Sequence, residues 1–356
     1  MIKVKVSELK GKEILAKHLL TDSGYELISA GTLLKSEYIQ KIKELGISEV
    51  YVYEVQIKNK EQKDLIEEVV KEESVKLVKD VLEKHIYKNS SDISELCGVA
   101  DEIIDKVLEE KDIMTEVSNI KQTRGDVYTH SLNVCALSTV MALKAGYEKD
   151  VVSEIAKGSI LHDIGLRYIV VPYEDQDITE LPLKEQVEFN KHVIYGYDSV
   201  KDVQWLSELS KNIILMHHER NDGTGYPFKN RSASISDPIK IVAVCDAFDS
   251  LINGIGFKQF KIHEAVEYMK AMSVGKLDDT YIDFLLQMVA MYPAGTKVKT
   301  NEGEIAVVVS QNKGYVDRPV IRVIKDAKGN DLPESEQVVK DMTKVLTIFI
   351  VDVIYD

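Results

Sequence analysis

The sequence predicts a mainly α protein, with an all-helical core flanked by a small N-terminal α+β module and a small C-terminal β appendage. Apolar residues recur at helical spacing from about residue 64 to Pro293. Before and after this region lie short segments in which β-forming apolar residues alternate with polar ones. A chain of 356 residues is also longer than one small core requires, so two or three folding units are expected.

The N-terminal module is predicted over residues 1–56. It contains the alternating segments "IKVKV" and "EVYVYEV", a turn at 22–24, and one capped helix from Ser36 to Gly46. The polar run "IKNKEQKD" that follows is typical of a linker.

A helical connector is predicted over residues 57–118. Two helices, 64–87 and 93–113, each carry an apolar stripe that is too wide to remain exposed to water. The stripes could dock on the next domain, or they could pair two chains into a homodimer.

A helical domain is predicted over residues 119–293, where Gly146, Gly165 and Asp237-Pro238 mark helix ends and starts. Beyond it, residues 294–356 alternate β-forming residues with Gly and Asn turns, which predicts the β appendage.

Composition limits the function classes. A formal charge of −14 disfavours binding to a nucleic acid polymer or an anionic membrane surface. The three cysteines are too few and too scattered for a disulfide framework, and the apolar runs are far shorter than a membrane span. Because no signal peptide is found either, we expect a cytoplasmic protein.

Five of the eight histidines cluster between residues 130 and 218 of the predicted helical domain: His130, His162, His192, His217 and His218. A lone histidine of this kind is most often a hydrogen-bonded core residue. Several inward imidazoles with the carboxylates Asp163 and Asp246 instead indicate a buried cation, since such groups are costly to bury alone. The donor set suits Mn, Fe, Ni or Zn, and two ions fit the count better than one. Two such ions could hold a bridging hydroxide and clamp a phosphoryl group, which favours phosphoester hydrolysis.

The ordered motifs resemble the HD-domain family and, within it, the HD-GYP subfamily. They are "THSLNV", "LHDIG", "HVIYG", "HHERNDGTGYP" and "AVCDAFDSL", between about residues 130 and 253. The HD doublet alone is a weak signal, but the ordered set is very specific. The resemblance implies an all-helical HD domain that hydrolyses cyclic di-GMP, a bacterial second messenger, to pGpG or GMP with two or three divalent ions, iron or manganese being expected.

The resemblance also implies a ligand set. One ion would be held by His130, His162 and Asp246, the other by His192, His217 and His218, and both by Asp163. The doublet His162-Asp163 would be catalytic. Asp126 stands at the spacing of a ligand for a third ion in some members, although an ordinary helix cap explains it as well.

The loop "GTGYP" is predicted to bind substrate. Gly223 and Gly225 would let the backbone approach a flat guanine ligand, and Tyr226 would contact it; a tight turn with a packing tyrosine is the simpler interpretation. Glu219 would orient a metal-binding histidine, or form a surface salt bridge. Gly196 is expected to permit close contact between helices.

Two positions depart from the family pattern. Leu166 stands where a phosphate-contacting lysine is usual, and Ile255 stands where an arginine is usual. Arg167 and Lys258 are adjacent in sequence, but adjacent positions point in other directions. Three functions therefore remain open: a slow cyclic di-GMP phosphodiesterase, a phosphodiesterase for another nucleotide, and a metal-loaded binding or scaffold module.

Overall fold

The computed structural model describes residues 2–9, 13, 15–20, 26–28, 32, 34, 36–52, 72–88, 93–109, 126–272, 275–312, 314–333 and 335–354. The chain divides into two compact units. One comprises residues 1–62, 294–312 and 318–356, and the other comprises 63–293 with 313–317. The predicted turn at 22–24 and the linker "IKNKEQKD" lie outside the described residues.

The N-terminal part of the first unit contains short strands, a 3-10 turn and a helix. The elements are β1 (Ile2–Lys5), the turn Val6–Glu8, β2 (Leu19–Leu20), β3 (Glu26–Ile28), α1 (Ser36–Glu44) and β4 (Glu49–Val52). β1 pairs antiparallel with β4, and β2 with β3. The apolar side chains of α1, Ile39 and Ile42, join Val50 and Val52 of β4 in a small core.

The C-terminal part of the first unit is a five-stranded sheet in the order β8-β7-β6-β5-β9. The strands are β5 (Lys297–Thr300), β6 (Ile305–Asn312), β7 (Tyr315–Lys325), β8 (Val339–Asp341) and β9 (Ile350–Ile354). Val298 on β5, Ala306 and Val308 on β6, and Ile321 and Val323 on β7 are buried at every second position, the spacing that puts side chains on one face of a strand.

The second unit is helical. Its helices are α2 (Glu72–Lys88), α3 (Glu95–Glu109), α4 (Val127–Lys144), α5 (Lys149–Leu161), α6 (Leu183–Phe189), α7 (His192–Val200), α8 (Glu208–Met216), α9 (Asp237–Asn253), α10 (Ile262–Met272) and α11 (Asp279–Met288). Short 3-10 turns lie at Ile164–Tyr168, Ile178–Glu180 and Ser232–Ser234. The prediction of a mainly α protein with an all-helical core and a small C-terminal sheet is confirmed. None of the helices in the described parts of the chain is both long and apolar enough to cross a membrane.

The connector helices use their apolar stripes within the chain. Val78 and Leu82 of α2 and Ile103 and Val107 of α3 are buried. α2 packs on α4, and α3 packs on both α4 and α5. Of the two interpretations of these stripes, docking on the helical domain therefore describes the observed packing. The homodimer stays a prediction, and residues 64–71 and 110–113 of the predicted helices lie outside the described residues.

Helices α4 and α9 form the centre of the helical unit. Nearly every residue of each is buried, including polar side chains such as Asn133, which is typical of a helix surrounded by protein. Pro238 lies in the first turn of α9, and Gly254 ends that helix in a left-handed conformation. These two helices supply the rigid wall on which the polar centre of the unit is built.

A pair of glycines brings the turn after α5 against the start of α7. A Cβ on Gly165 would lie 1.8 Å from the backbone oxygen of His192 and 2.6 Å from the backbone nitrogen of Gly196. A Cβ on Gly196 would in turn meet Gly165 and Ile214. The prediction that Gly196 permits close contact is confirmed, because its partner across that contact is another glycine.

We expect Gly165→Ala to destabilise the protein severely, because the added methyl group would collide with backbone that cannot rotate away. Forced overpacking costs about 1–3 kcal/mol or more. Chemical denaturation followed by circular dichroism measures the change. Gly98→Ala is the matched control, since Gly98 lies in α3 with no atom within 4 Å of an added Cβ, and helix propensity predicts a gain of up to about 1 kcal/mol. Equal stability of the two variants would contradict the close-contact interpretation.

Candidate metal centre

Seven buried or largely buried side chains converge in the middle of the helical unit. They form two groups, one of His130, His162, Asp163 and Asp246, and one of Asp163, His192, His217 and His218. Within each group, the potential ligand atoms all lie within 4.8 Å of one another. The structure thus brings together every residue of the predicted two-ion ligand set, and Asp163 belongs to both groups.

These side chains come from five helices and one turn. His130 and Asp246 lie inside α4 and α9, His162 caps the C-terminus of α5, His192 begins α7, and His217 caps the C-terminus of α8 with His218 after it. Asp163 directly precedes the 3-10 turn Ile164–Tyr168. Because five of the ligands sit in or cap packed helices and the other two directly follow such caps, the helical core fixes the geometry of the centre.

The Asp163 carboxylate lies between the imidazoles of the two groups. Its Oδ2 lies 3.4 Å from His130 Nε2 and 3.5 Å from His162 Nε2. Its Oδ1 lies 3.3 Å from His192 Nε2 and 3.6 Å from His217 Nε2. Each oxygen therefore faces its own pair of imidazoles, which is the arrangement that a carboxylate bridging two cations requires.

Four of the imidazoles are oriented by contacts on their outer nitrogen. The Nδ1 contacts are His130 with Asp249 Oδ2 at 2.7 Å, His162 with the Ser159 carbonyl at 2.6 Å, His192 with the Phe189 carbonyl at 2.8 Å, and His217 with the Ile214 carbonyl at 3.0 Å. Carbonyl and carboxylate oxygens only accept, so in each ring Nδ1 donates. A ring that donates from Nδ1 turns Nε2 toward the centre, the orientation of metal-binding histidines.

Several atoms of the centre are buried without a hydrogen bond among the described residues. They are Asp163 Oδ1, Asp246 Oδ2, His192 Nε2 and His217 Nε2. An unsatisfied buried polar group costs about 1–3 kcal/mol. In addition, the Nε2 atoms of His130 and His162 approach to 3.1 Å. Because all of these atoms are electron-pair donors turned inward, cations between them would satisfy the whole set, and the residues fit divalent metal ions.

The protonation states also suit metal binding. Burial by itself raises the pKa of the Asp163 carboxyl, but the surrounding imidazoles, His162 first among them, lower this pKa well below its usual value. Burial lowers the pKa of His192 to about 4. At neutral pH the carboxylate is therefore ionised and His192 is neutral, which are the forms that coordinate metals.

The Glu219 carboxylate holds the loop that follows the two adjacent histidines. Its Oε1 accepts from the backbone N–H of Phe228, and its Oε2 accepts from that of Asn230, each at 2.7 Å. These contacts differ from the prediction that Glu219 orients a histidine or forms a surface salt bridge. The chain folds back through residues 223–227, and this fold-back aims the backbone donors of the loop at the buried carboxylate.

The same fold-back explains the second loop glycine. A Cβ on Gly225 would lie 2.4 Å from the Arg220 nitrogen and the His218 oxygen. The close approach that requires glycine here is to the protein's own backbone. Gly223 adopts a left-handed conformation with φ of 78°, and its contact with substrate stays a prediction.

Tyr226 places its ring beside the histidines. The ring centroid lies 4.8 Å from that of His218 at an interplanar angle of 30°, and 6.1 Å from that of His192. The peptide bond to Pro227 is cis. Tyr226 is half-buried, so part of its surface faces outward at the edge of the centre.

Asp126 caps helix α4. Its Oδ1 accepts from the backbone N–H groups of Tyr128 and Thr129, and Asp126 belongs to neither group of ligand atoms. The helix-cap interpretation accounts for these contacts. A role in binding a third ion stays a prediction without a contact in its favour.

The two departures from the family pattern are core residues. Leu166 is 1% exposed and Ile255 is 4% exposed. The neighbouring cations have other partners. Arg167 Nη2 lies 3.7 Å from Glu83 Oε1, and Lys258 Nζ lies 2.6 Å from Glu180 Oε2. These contacts agree with the expectation that the adjacent cations do not replace the missing lysine and arginine.

Asp249 is a residue of the centre that the sequence analysis missed. It is fully buried and accepts from His130, as described above. Helical spacing could have found it, because Asp249 follows Asp246 by three residues and therefore lies on the same face of α9.

Comparison with known proteins identifies two segments. Residues 107–281 match the model of the HD domain, and residues 297–356 match that of the KOW domain associated with the HD domain. A cyclic di-GMP phosphodiesterase of Pseudomonas aeruginosa is 28% identical over 249 residues, which cover 70% of this chain and 59% of that protein. The 3′3′-cGAMP-specific phosphodiesterase 2 of Vibrio cholerae is 28% identical over 147 residues, which cover 40% of this chain and 27% of that protein. This chain thus spans less than two thirds of either relative.

One solved structure is similar in fold. An HDG"Y"P protein from Bdellovibrio bacteriovorus aligns with a TM-score of 0.51 at 19% identity, covering 80% of this chain and 97% of that one. At this level of identity the likeness concerns the fold alone.

We expect Asp163→Ala to remove more bound metal than any single histidine substitution, because one carboxylate faces both groups. Elemental analysis of protein expressed with excess metal measures ions per chain. His162→Ala and His192→Ala are the controls, and each should retain about one ion more than Asp163→Ala. Equal loss from all three variants would mean that Asp163 does not bridge.

We expect Glu219→Gln to destabilise the loop at residues 223–230. One carboxylate oxygen is replaced by an amide NH₂ group, which cannot accept a hydrogen bond from the backbone N–H that faces it. A hydrogen bond to a charged group contributes about 1.5–3 kcal/mol, and a loss of this order is predicted in the free energy of unfolding. Asp222→Asn is the control, since this exposed carboxylate also accepts from a backbone N–H, that of Thr224. A loss no larger than that of the control would show that the Glu219 contacts do not hold the loop. Hydrogen exchange over residues 219–230 reports whether the loop opens.

Proposed function

Because residues 107–281 match the HD domain and the motifs resemble its HD-GYP subfamily, we propose that this chain is a metal-dependent phosphodiesterase that hydrolyses cyclic di-GMP to pGpG or GMP. The observation that carries the proposal is the Asp163 carboxylate, whose two oxygens each face a separate pair of inward-directed imidazoles. Burying so many polar and charged side chains together is costly unless a cation lies among them.

The proposed ligands are the two groups described above. His130, His162 and Asp246 would hold one ion, His192, His217 and His218 the other, and Asp163 both. Two divalent ions in such a site, iron or manganese by the resemblance, supply Lewis-acid activation of water and stabilise the charge of a phosphoryl group during in-line displacement.

The side chains themselves contribute orientation and charge. The outer hydrogen bonds hold the four rings in place with Nε2 directed at the centre. The ionised Asp163 carboxylate would balance the charge of both ions. Since the chain carries a formal charge of −14, an anionic substrate would find its attraction at this centre rather than on the general surface.

Tyr226 is the proposed contact for a nucleobase. Its ring stacks near His218 and is half-buried at the edge of the centre. An aromatic face in this position can stack on a base, a contact that contributes about 1–3 kcal/mol per base. Gly223 and Gly225 would shape the loop that presents this ring.

A phosphodiesterase for another cyclic nucleotide is the second candidate. Leu166 and Ile255 stand where the family usually has a lysine and an arginine that bind phosphate. Each charged hydrogen bond lost in this way costs about 1.5–3 kcal/mol. The two relatives named above act, by their names, on different cyclic dinucleotides, and 3′3′-cGAMP is accordingly the alternative substrate to assay. A metal-loaded binding or scaffold module would keep the centre without turnover.

We expect the purified full-length chain to carry at least two transition-metal ions and to release pGpG or GMP from cyclic di-GMP when Mn²⁺ or Fe²⁺ is present. Elemental analysis and chromatography of the products measure the two quantities. Asp163→Asn should lose both, and chelation should abolish turnover reversibly.

The same assay separates the alternatives. Faster turnover of 3′3′-cGAMP than of cyclic di-GMP would identify 3′3′-cGAMP as the preferred substrate. Nucleotide binding without product would favour the binding module. One ion or none after expression with excess metal would overturn the two-ion proposal.

A further inference from the structure

The two groups of ligands differ in what supports their imidazoles from outside. In the first group, His130 donates to the carboxylate of Asp249. The other three oriented rings, His162, His192 and His217, donate to backbone carbonyls. A carboxylate acceptor carries a full negative charge, whereas a carbonyl carries only a partial one, so His130 is the strongest electron donor among the four.

Asp249 is itself held in place. Its Oδ2 also accepts from Asn253 Nδ2 at 2.8 Å, one helical turn further along α9. Its Oδ1 is buried without a hydrogen bond among the described residues. An anion buried in this way is costly unless positive charge lies nearby. Across the His130 ring, that positive charge would be the metal ion.

The charges of the two groups are therefore unequal. The first group has Asp246 and the shared Asp163 as ligands, with Asp249 behind His130. The second has three imidazoles and only the shared carboxylate. Since a divalent cation is attracted by each nearby carboxylate, the first group should bind it more tightly.

We propose that Asp249 is a positioning residue that makes the group of His130 the tighter of two unequal metal sites, which fill in a fixed order. The inference rests on the function proposed above only in assuming two ions. It concerns affinity and not turnover, so it can be tested without any substrate.

Calorimetric titration of the full-length, chelator-stripped protein with Mn²⁺ tests the inference. Two classes of site are expected in the unmodified chain. His130→Ala should abolish the tighter class, and His192→Ala the weaker one. Asp249→Asn keeps an oxygen that can accept from His130 but removes the charge, and it should weaken the tighter class by about 10- to 100-fold while the weaker class is unchanged.

Two further variants separate positioning from a general disturbance of α9. Asp237→Asn makes the same chemical change on the first turn of this helix, where the side chain pairs with Lys240, and it should leave both classes unchanged. Asn253→Ala keeps the Asp249 charge and removes one of its hydrogen bonds. It should weaken the tighter class by a smaller factor than Asp249→Asn.

The metal-free stability of Asp249→Asn is measured in parallel. We expect this variant to fold, because removing a buried anion lessens charge repulsion in the empty centre. If it does not fold, the titration of Asn253→Ala tests the inference in its place. An unchanged affinity of the tighter class of Mn²⁺ sites in that variant would overturn the inference.

Two results for Asp249→Asn would also overturn the inference: equal weakening of both classes, and no change in either. In both cases the proposed function would stand. By contrast, an unmodified chain that binds no Mn²⁺ would overturn the proposed function together with the inference.

Discussion

The helical unit is organised around one carboxylate. Asp163 is buried, ionised and faced by four imidazoles, two on each oxygen. Such a group is stable in a protein interior only if its surroundings are built to receive it. The other parts of the centre follow from this constraint. The rings are turned inward by acceptors on their outer nitrogens, and the rings themselves are carried on helices that cannot shift independently.

The tight contact at Gly165 serves the same constraint. Asp163 and His192 belong to different elements, and the two can meet only if the turn after α5 lies directly on the first turn of α7. A side chain at Gly165 would collide with the backbone of His192 and Gly196, and one at Gly196 would crowd Gly165 and Ile214. Two residues without side chains thus determine the distance between ligands that lie far apart in the sequence.

Much of this arrangement was predictable from the sequence. Helical periodicity indicated the fold class, and the clustered histidines with Asp163 and Asp246 indicated a buried cation site. The contacts that sequence could not supply are those made by folding back or by crossing between elements. Glu219 binds backbone groups nine and eleven residues further along the chain, and no periodic pattern connects them. The spacing from Asp246 places Asp249 on the same face of α9, but only the packing of α4 against α9 reveals its partner His130.

The spread of the ligands along the chain has a consequence for assembly. His130 and Asp249, which share one hydrogen bond, are 119 residues apart in sequence, and the six other proposed ligands lie between them in the chain. Ions bound at such a centre would act as cross-links, closing several long loops at once and excluding many extended conformations of the unfolded chain.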